Sequence, residues 1–184
     1  MKFKITLKMN REHGDLLPFN YQYEQSAVIY RILAQADTQY SSWLHENGYL
    51  LHERKRFKLF CYSPFIFEKV RPLPEAGCLK IIGERAVWYI SFIPEKSTLE
   101  FIQGIFAHQS FSIGNKKYQV AFDVVGVEAI PMPQLSEEMT FVALSPICVK
   151  LHEDNKTQYL SPDNPMFVEG ILKGLMARYE SIHG

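Results

Sequence analysis

At 184 residues the chain exceeds one small domain and falls short of two full ones, which typically take about 100 residues or more each. With 47% hydrophobic and 22% charged residues it has the make-up of a folded protein, and it lacks the run of about 18 apolar residues that spans a bilayer. Its 20 basic residues are balanced by 20 acidic ones, which excludes a surface that grips nucleic acid by bulk charge and leaves only local contacts.

From Lys2 to Lys8 apolar and polar residues alternate, placing Phe3, Ile5 and Leu7 on one face of a first strand. This opening is a strand and not the apolar core of a signal peptide, so the expected location is cytoplasmic. Asn20 is a candidate cap for a helix with the stripe Tyr23, Ala27, Tyr30 and Ala34, flanked by Ile29 and Leu33. Asp37-Thr38 breaks it and caps a second, short helix reaching Leu44-His45, which Asn47-Gly48 ends. Phe57 to Tyr62 alternates again, with Phe57, Leu59 and Cys61 on one face and Lys58, Phe60 and Tyr62 on the other. After a turn-rich connector from Val70 to Gly77, LKIIG and AVWYISFI flank Glu84-Arg85 as an expected hairpin. Pro94 opens a helix whose apolar face is Leu99, Ile102, Ile105 and Phe106, and Gly114-Asn115 turns a last hairpin into KKYQVAFDVVGVEAI.

The order strand, helix, strand, strand, helix, strand is the ferredoxin-like βαββαβ arrangement, an α+β fold, over residues 1–130. A linker of residues 131–138 follows, and 139–184 reads as the start of a second such domain, with MTFVALSPICVKL as its first strand. Only one further element is legible there, a helix opened by Ser161 to Pro165 and carrying Phe167, Ile171 and Leu175 with Val168, Leu172 and Met176. A lone strand and helix cannot bury each other's faces, so a truncated form, or completion by another segment or chain, is expected, and self-association as a homodimer stays open.

Cys61, Cys78 and Cys148 are odd in number and lack a CxxC spacing, pointing to neither a disulfide framework nor a zinc site. GxGxxG, Walker, HExxH and GxSxG motifs are missing, as is any carboxylate cluster with metal spacing, so no cofactor and no metal are expected. The dense basic run is HERKRFK, from His52 to Lys58. It is either a solvated loop or, through Arg54, Lys55 and Arg56, a local contact to RNA phosphates. Tyr30 can be a core tyrosine or a reactive one, and His45 can stabilise a helix end or act as general acid or base. Lys58, on a strand face shared with Phe60 and Tyr62, suits a phosphate beside stacked bases, or a snorkelling stem over those rings.

LPFNYQYEQSAVIYRIL, WLHENGY, FKLFCYSPF and TFVALSPICV, in that order, resemble the CRISPR repeat-processing endoribonucleases of the repeat-associated protein family. The resemblance covers the whole chain and implies tandem ferredoxin-like (RRM-like) domains that cut the CRISPR precursor transcript within each repeat. The implied route is metal-independent: an RNA 2′-hydroxyl attacks the adjacent phosphate, leaving a 2′,3′-cyclic phosphate and a 5′-hydroxyl. By motif it assigns His45 as general acid or base, Tyr30 as its partner across the scissile phosphate and Lys58 as the charge stabiliser. His52 is a rival to His45, because the histidine is not fixed in position across the family. Implied partners are CRISPR repeat RNA and other CRISPR effector subunits. The family's second domain runs on to a glycine-rich loop with no counterpart here, so the 184-residue chain is expected to bind and cut repeat RNA weakly. The alternatives are a non-catalytic RNA-binding or scaffold subunit, and one module of a larger fused CRISPR protein.

Overall fold

A computed structural model describes residues 1–51, 55–143, 145–153 and 156–184. In chain order these form β1 (Lys2–Asn10), β2 (Leu16–Pro18), α1 (Gln22–Ala36), α2 (Thr38–Glu46), β3 (Tyr49–Leu51), β4 (Lys55–Phe57), β5 (Phe60–Tyr62), β6 (Ile66–Phe67), β7 (Val70–Leu73), β8 (Cys78–Ile81) and β9 (Arg85–Phe92). There follow α3 (Glu95–Ala107), β10 (Ser110–Gly114), β11 (Gln119–Ile130), β12 (Val149–Glu153), β13 (Lys156–Leu160) and α4 (Met166–His183). No helix among the described residues is long and apolar enough to cross a membrane.

The alternation of β1 is realised: Phe3, Ile5 and Leu7 are buried while Lys2 and Lys8 face solvent. Paired antiparallel with β11 on one side and β9 on the other, β1 is central to a sheet ordered β10-β11-β1-β9-β5, with β6 also on β9. Taking β5 and β6 together as the second strand, the order fourth, first, third, second is that of the ferredoxin-like βαββαβ fold. Between this sheet and α1 and α3 lies a core rich in rings, with Phe65, Trp88, Phe92, Phe101 and Phe122 all buried.

Both helices bury part of the expected face, Ile29 and Leu33 on α1 and Ile105 on α3, but each is rotated from the expected stripe. On α1 the buried residues are Gln25, Val28, Ile29, Ile32 and Leu33, while Tyr23 is 83% exposed; Tyr21, not Asn20, precedes the first turn. On α3 they are Ser97, Thr98, Phe101, Gly104 and Ile105, and the expected Leu99 and Phe106 are exposed. The cause is close approach: a Cβ at Gly104 would lie 1.9 Å from the Ile32 carbonyl oxygen, so the small-residue side of α3 must face α1.

Three strand assignments change as well. Phe57 to Tyr62 is not one strand, because buried Leu59 sits at φ 55°, in the left-handed region, and breaks the period. The halves serve different sheets, β4 pairing with β3 and β5 with β9. Nor do LKIIG and AVWYISFI form a hairpin, since β8 pairs with β7 and β2 while β9 enters the main sheet. The chain bends between them because the Glu68 carboxylate accepts from the Glu84 and Arg85 amides, and the Lys69 carbonyl from those of Ile82 and Gly83. MTFVALSPICVKL does not start as a strand: residues 140–143 and 145–148 are irregular and exposed, and pairing begins at Val149. Its partner β13 escaped the sequence reading because KTQYL is almost wholly exposed and has no apolar period. Phe167 and Ala177 are the buried residues of α4, and Gly170 lies so close to Val149 that a Cβ would meet Val149 Cγ1 at 2.5 Å. Val168, Leu172, Leu175 and Met176 stay exposed.

Gly104→Ala should therefore lower the unfolding free energy by about 3 kcal/mol or more, read as a displaced denaturation midpoint. An unchanged midpoint would contradict the α1–α3 contact.

Candidate active site on helix α2

Asp37 begins α2 as the sequence indicates, its carboxylate accepting from the Tyr40 amide at 2.8 Å. The other end is closed from several directions. The last four carbonyls of a helix lack partners within it, and in α2 all four are met. Trp43 O accepts from the Asn47 and Gly48 amides, Leu44 O and His45 O from the Lys58 ammonium at 2.5 Å each, and Glu46 O from the Arg56 guanidinium at 3.1 Å. Gly48 turns the chain at φ 68°, with Phe57 O so near that a Cβ would lie 2.6 Å from it.

His45 projects from this closed last turn and is exposed. Ser41 Oγ donates to the Tyr30 carbonyl at 2.8 Å, holding α2 against α1, and the Tyr30 and His45 rings meet edge to face with centroids 4.9 Å apart. Phe60 packs edge-on against Tyr30 at 5.8 Å, and Tyr62 stacks on Phe60 at 6.3 Å. Tyr30 and His45 thus meet ring to ring, and Lys58 reaches the same helix end through the backbone carbonyls of Leu44 and His45. Lys58 reaches it from the turn between β4 and β5, and not from a strand face shared with Phe60 and Tyr62.

Tyr30 is half-buried, and among the described residues no hydrogen bond ties its hydroxyl, unlike a core tyrosine bonded to the backbone. Burial, and next the Tyr62 phenol beside it, push the Tyr30 phenol above its ordinary value, so it remains a protonated donor at neutral pH. Burial, and next the Arg56 charge, lower the Lys58 ammonium from its usual value. Two of its three N–H donors are committed to carbonyls, and one remains for an anion.

His52 and Arg54 lie outside the described residues. Lys55 and Arg56 are exposed on β4; Arg56 reaches back to α2, while Lys55 lines a cavity of about 350 Å³ with Lys150 and Lys173 beneath α4. Sequence reasoning missed that Arg56 and Lys58 of the basic run cap a helix. The clue was available in Asn47-Gly48 ahead of it, but which carbonyls the cations reach is set by the β3–β4 fold-back. Among the described residues, no group of three or more His, Cys, Asp or Glu could hold a metal ion.

The family model described as CRISPR-associated protein Cas6, N-terminal, matches residues 16–123, and that for the Cas6 C-terminal region matches residues 130–184. The chain belongs to the Cas6 family. Among Cas6 relatives, the CRISPR-associated endoribonuclease Cas6 1 of Methanocaldococcus jannaschii is 27% identical over 184 residues, covering 98% of this chain and 66% of that protein. The CRISPR-associated endoribonuclease Cas6 of Pyrococcus furiosus is 24% identical over all of this chain and 66% of its own length. The chain thus spans about two thirds of the length of these curated relatives. A solved structure described as an RAMP protein binding different RNA substrates superposes with a TM-score of 0.77 at 25% identity, over 100% of this chain and 72% of that one. The product of a Cas6-related gene from Pyrococcus furiosus gives 0.78 at 25% identity, over 100% and 71%.

Lys58→Met removes the donor to two carbonyls and should cost about 1 kcal/mol, a fall of a few degrees in Tm for a chain of this size. The Tyr40 amide, and then Lys96, hold the Asp37 carboxyl below its ordinary value. Its contribution is therefore present above the unfolded value, near pH 4, and is lost as pH falls through the lower folded one. Acid titration of Asp37→Asn followed by circular dichroism should show a shallower loss of structure than the parent chain; equal slopes would refute the assignment.

Proposed function

We propose that this chain is a metal-independent endoribonuclease that processes CRISPR precursor RNA within the repeat. The observation that carries the reading is the edge-to-face contact of Tyr30 and His45 at 4.9 Å on an exposed face, with the Lys58 ammonium at the same helix end. Support comes also from the relatives named as endoribonucleases and the neighbour described as binding RNA.

In the proposed step the neutral imidazole of His45 takes the proton of a ribose 2′-hydroxyl, whose oxygen bonds to the adjacent phosphorus. The bond from phosphorus to the 5′-oxygen breaks, and that oxygen takes a proton from the Tyr30 phenol, which burial keeps protonated. Products are a 2′,3′-cyclic phosphate and a 5′-hydroxyl; His45 returns its proton to Tyr30 and closes the cycle. The free N–H of Lys58 steadies the charge on the non-bridging phosphate oxygens, a contribution of about 3 kcal/mol where a donor is well aimed. Lys55 and Arg56, with Arg54, bind flanking phosphates.

The reading keeps the division into 1–130, a linker of 131–138, and 139–184 as the start of a second ferredoxin-like domain; the change of family model between residues 123 and 130 supports it. CRISPR repeat RNA is the substrate, the cytoplasm the location, and other effector subunits or a second copy the protein partners. A non-catalytic RNA-binding subunit is the second reading, favoured by the engagement of Lys58 with backbone carbonyls.

The protein incubated with its own repeat RNA in excess chelator should yield cyclic-phosphate ends. His45→Ala should slow single-turnover cleavage by about 10²-fold or more, and His52→Ala should not. RNA carrying sulfur at the 5′ bridging position, whose leaving group needs no acid, should restore Tyr30→Phe but not His45→Ala. Binding without cleavage would favour the non-catalytic subunit, and restoration of His45→Ala alone would reverse the two roles.

A further inference from the structure

The side of α2 turned away from His45 is also built of aromatic residues. In the run TQYSSWLHENGY, Tyr40 and Trp43 stand three apart and share one helix face, whereas His45 is about 200° round the helix from Trp43. Tyr40 stacks on Trp43 with centroids 5.7 Å apart and planes 24° from parallel, and Tyr49 of β3 meets Trp43 edge-on at 5.3 Å. The Tyr40 hydroxyl bonds Ser97 Oγ of α3 and, at 3.1 Å, the Tyr49 hydroxyl, which fixes the floor of this frame. Around it opens a cavity of about 400 Å³ whose rim holds Asp37, Gln39 and Lys96. Lys96 Nζ lies 4.7 Å over the Tyr40 ring and 3.4 Å from the Asp37 carboxylate, on a side chain 56% exposed.

The two tryptophans of the chain differ sharply in setting. Trp88 is 0% exposed in the core, whereas Trp43 keeps 39% of its surface open although its neighbours hold it still. A fixed, open indole beside an amide and an exposed ammonium matches a flat π face attached to an anion, and the indole has little side-chain entropy left to lose on binding. We propose that this cavity is a subsite for one unpaired nucleotide of single-stranded RNA, the base stacked on Trp43 and its phosphate met by Lys96. The proposal rests on the RNA reading above and adds a contact on the opposite side of the helix that carries His45. Asp37, already neutralised by Lys96, accepts from an amino-bearing base edge, and Gln39 offers both a donor and an acceptor.

Because Trp88 is sealed from solvent, quenching of intrinsic fluorescence reports on Trp43. Titration of the full chain with an eight-nucleotide oligoadenylate, followed in parallel by anisotropy of a labelled copy, should quench the emission as binding saturates. Trp43→Phe should abolish the quench while holding affinity within about three-fold, since a phenyl ring still stacks. Trp43→Ala should weaken binding about ten-fold at any salt concentration, and Lys96→Gln should reduce the salt slope by about one. Saturating anisotropy without quenching, or equal affinity in Trp43→Ala, overturns the subsite and leaves the RNA reading standing. No binding by anisotropy overturns both. Should the alanine variant fail to fold, the wild-type quench and Trp43→Phe still decide.

Discussion

The arrangement depends on how the end of one short helix is closed. In nine residues α2 can satisfy few of its own carbonyls, and the four at its C-terminal end are met by Asn47, Gly48, Arg56 and Lys58. Meeting them requires the chain to turn at Gly48, form β3, and return antiparallel as β4, so that cations from the basic run arrive where the helix dipole is negative. His45 is held by its own carbonyl in that closure. Arg56 and Lys58 of the basic run are structural before they are anything else.

Closure at one end leaves α2 with two usable sides. Ser41 and the Tyr30 contact bind one side to α1 and bring a phenol to the imidazole; Tyr40, through Ser97, binds the other to α3 and leaves Trp43 open. A helix clamped between two others and capped at both ends is a rigid platform, and rigidity is what proton transfer and base stacking both require. The environment also separates the two side chains: Tyr30 is half-buried and its phenol held protonated, whereas His45 is exposed on the last turn.

Legibility from sequence varied by element for definable reasons. β1 and the β10–β11 hairpin read correctly because strict alternation and the Gly114-Asn115 turn are local signals, and Asp37 and Asn47-Gly48 marked the ends of α2 through cap chemistry. The faces of α1 and α3 read only in part, Ile29, Leu33 and Ile105 being buried as expected, because the rotation of each helix is set by a close contact that Gly104 permits. Lys58 was placed on a strand face because alternation ran on through Leu59, whose left-handed backbone no residue type announces. β13 was missed because an exposed strand has no apolar face to betray it.

By itself, then, the sequence determined the features whose physics is short-range: the ferredoxin-like order of elements, the capped helix α2, and the presence of Tyr30, His45 and Lys58 within a few turns of one another along the chain. Tertiary structure alone decided which faces those elements show, that Lys58 and Arg56 close α2, that Tyr30 and His45 meet, and that Trp43 stays open. The division follows from the range of the forces. Caps and periodicity act over three or four residues, whereas burial and close approach are settled by whichever distant surface the fold brings against them.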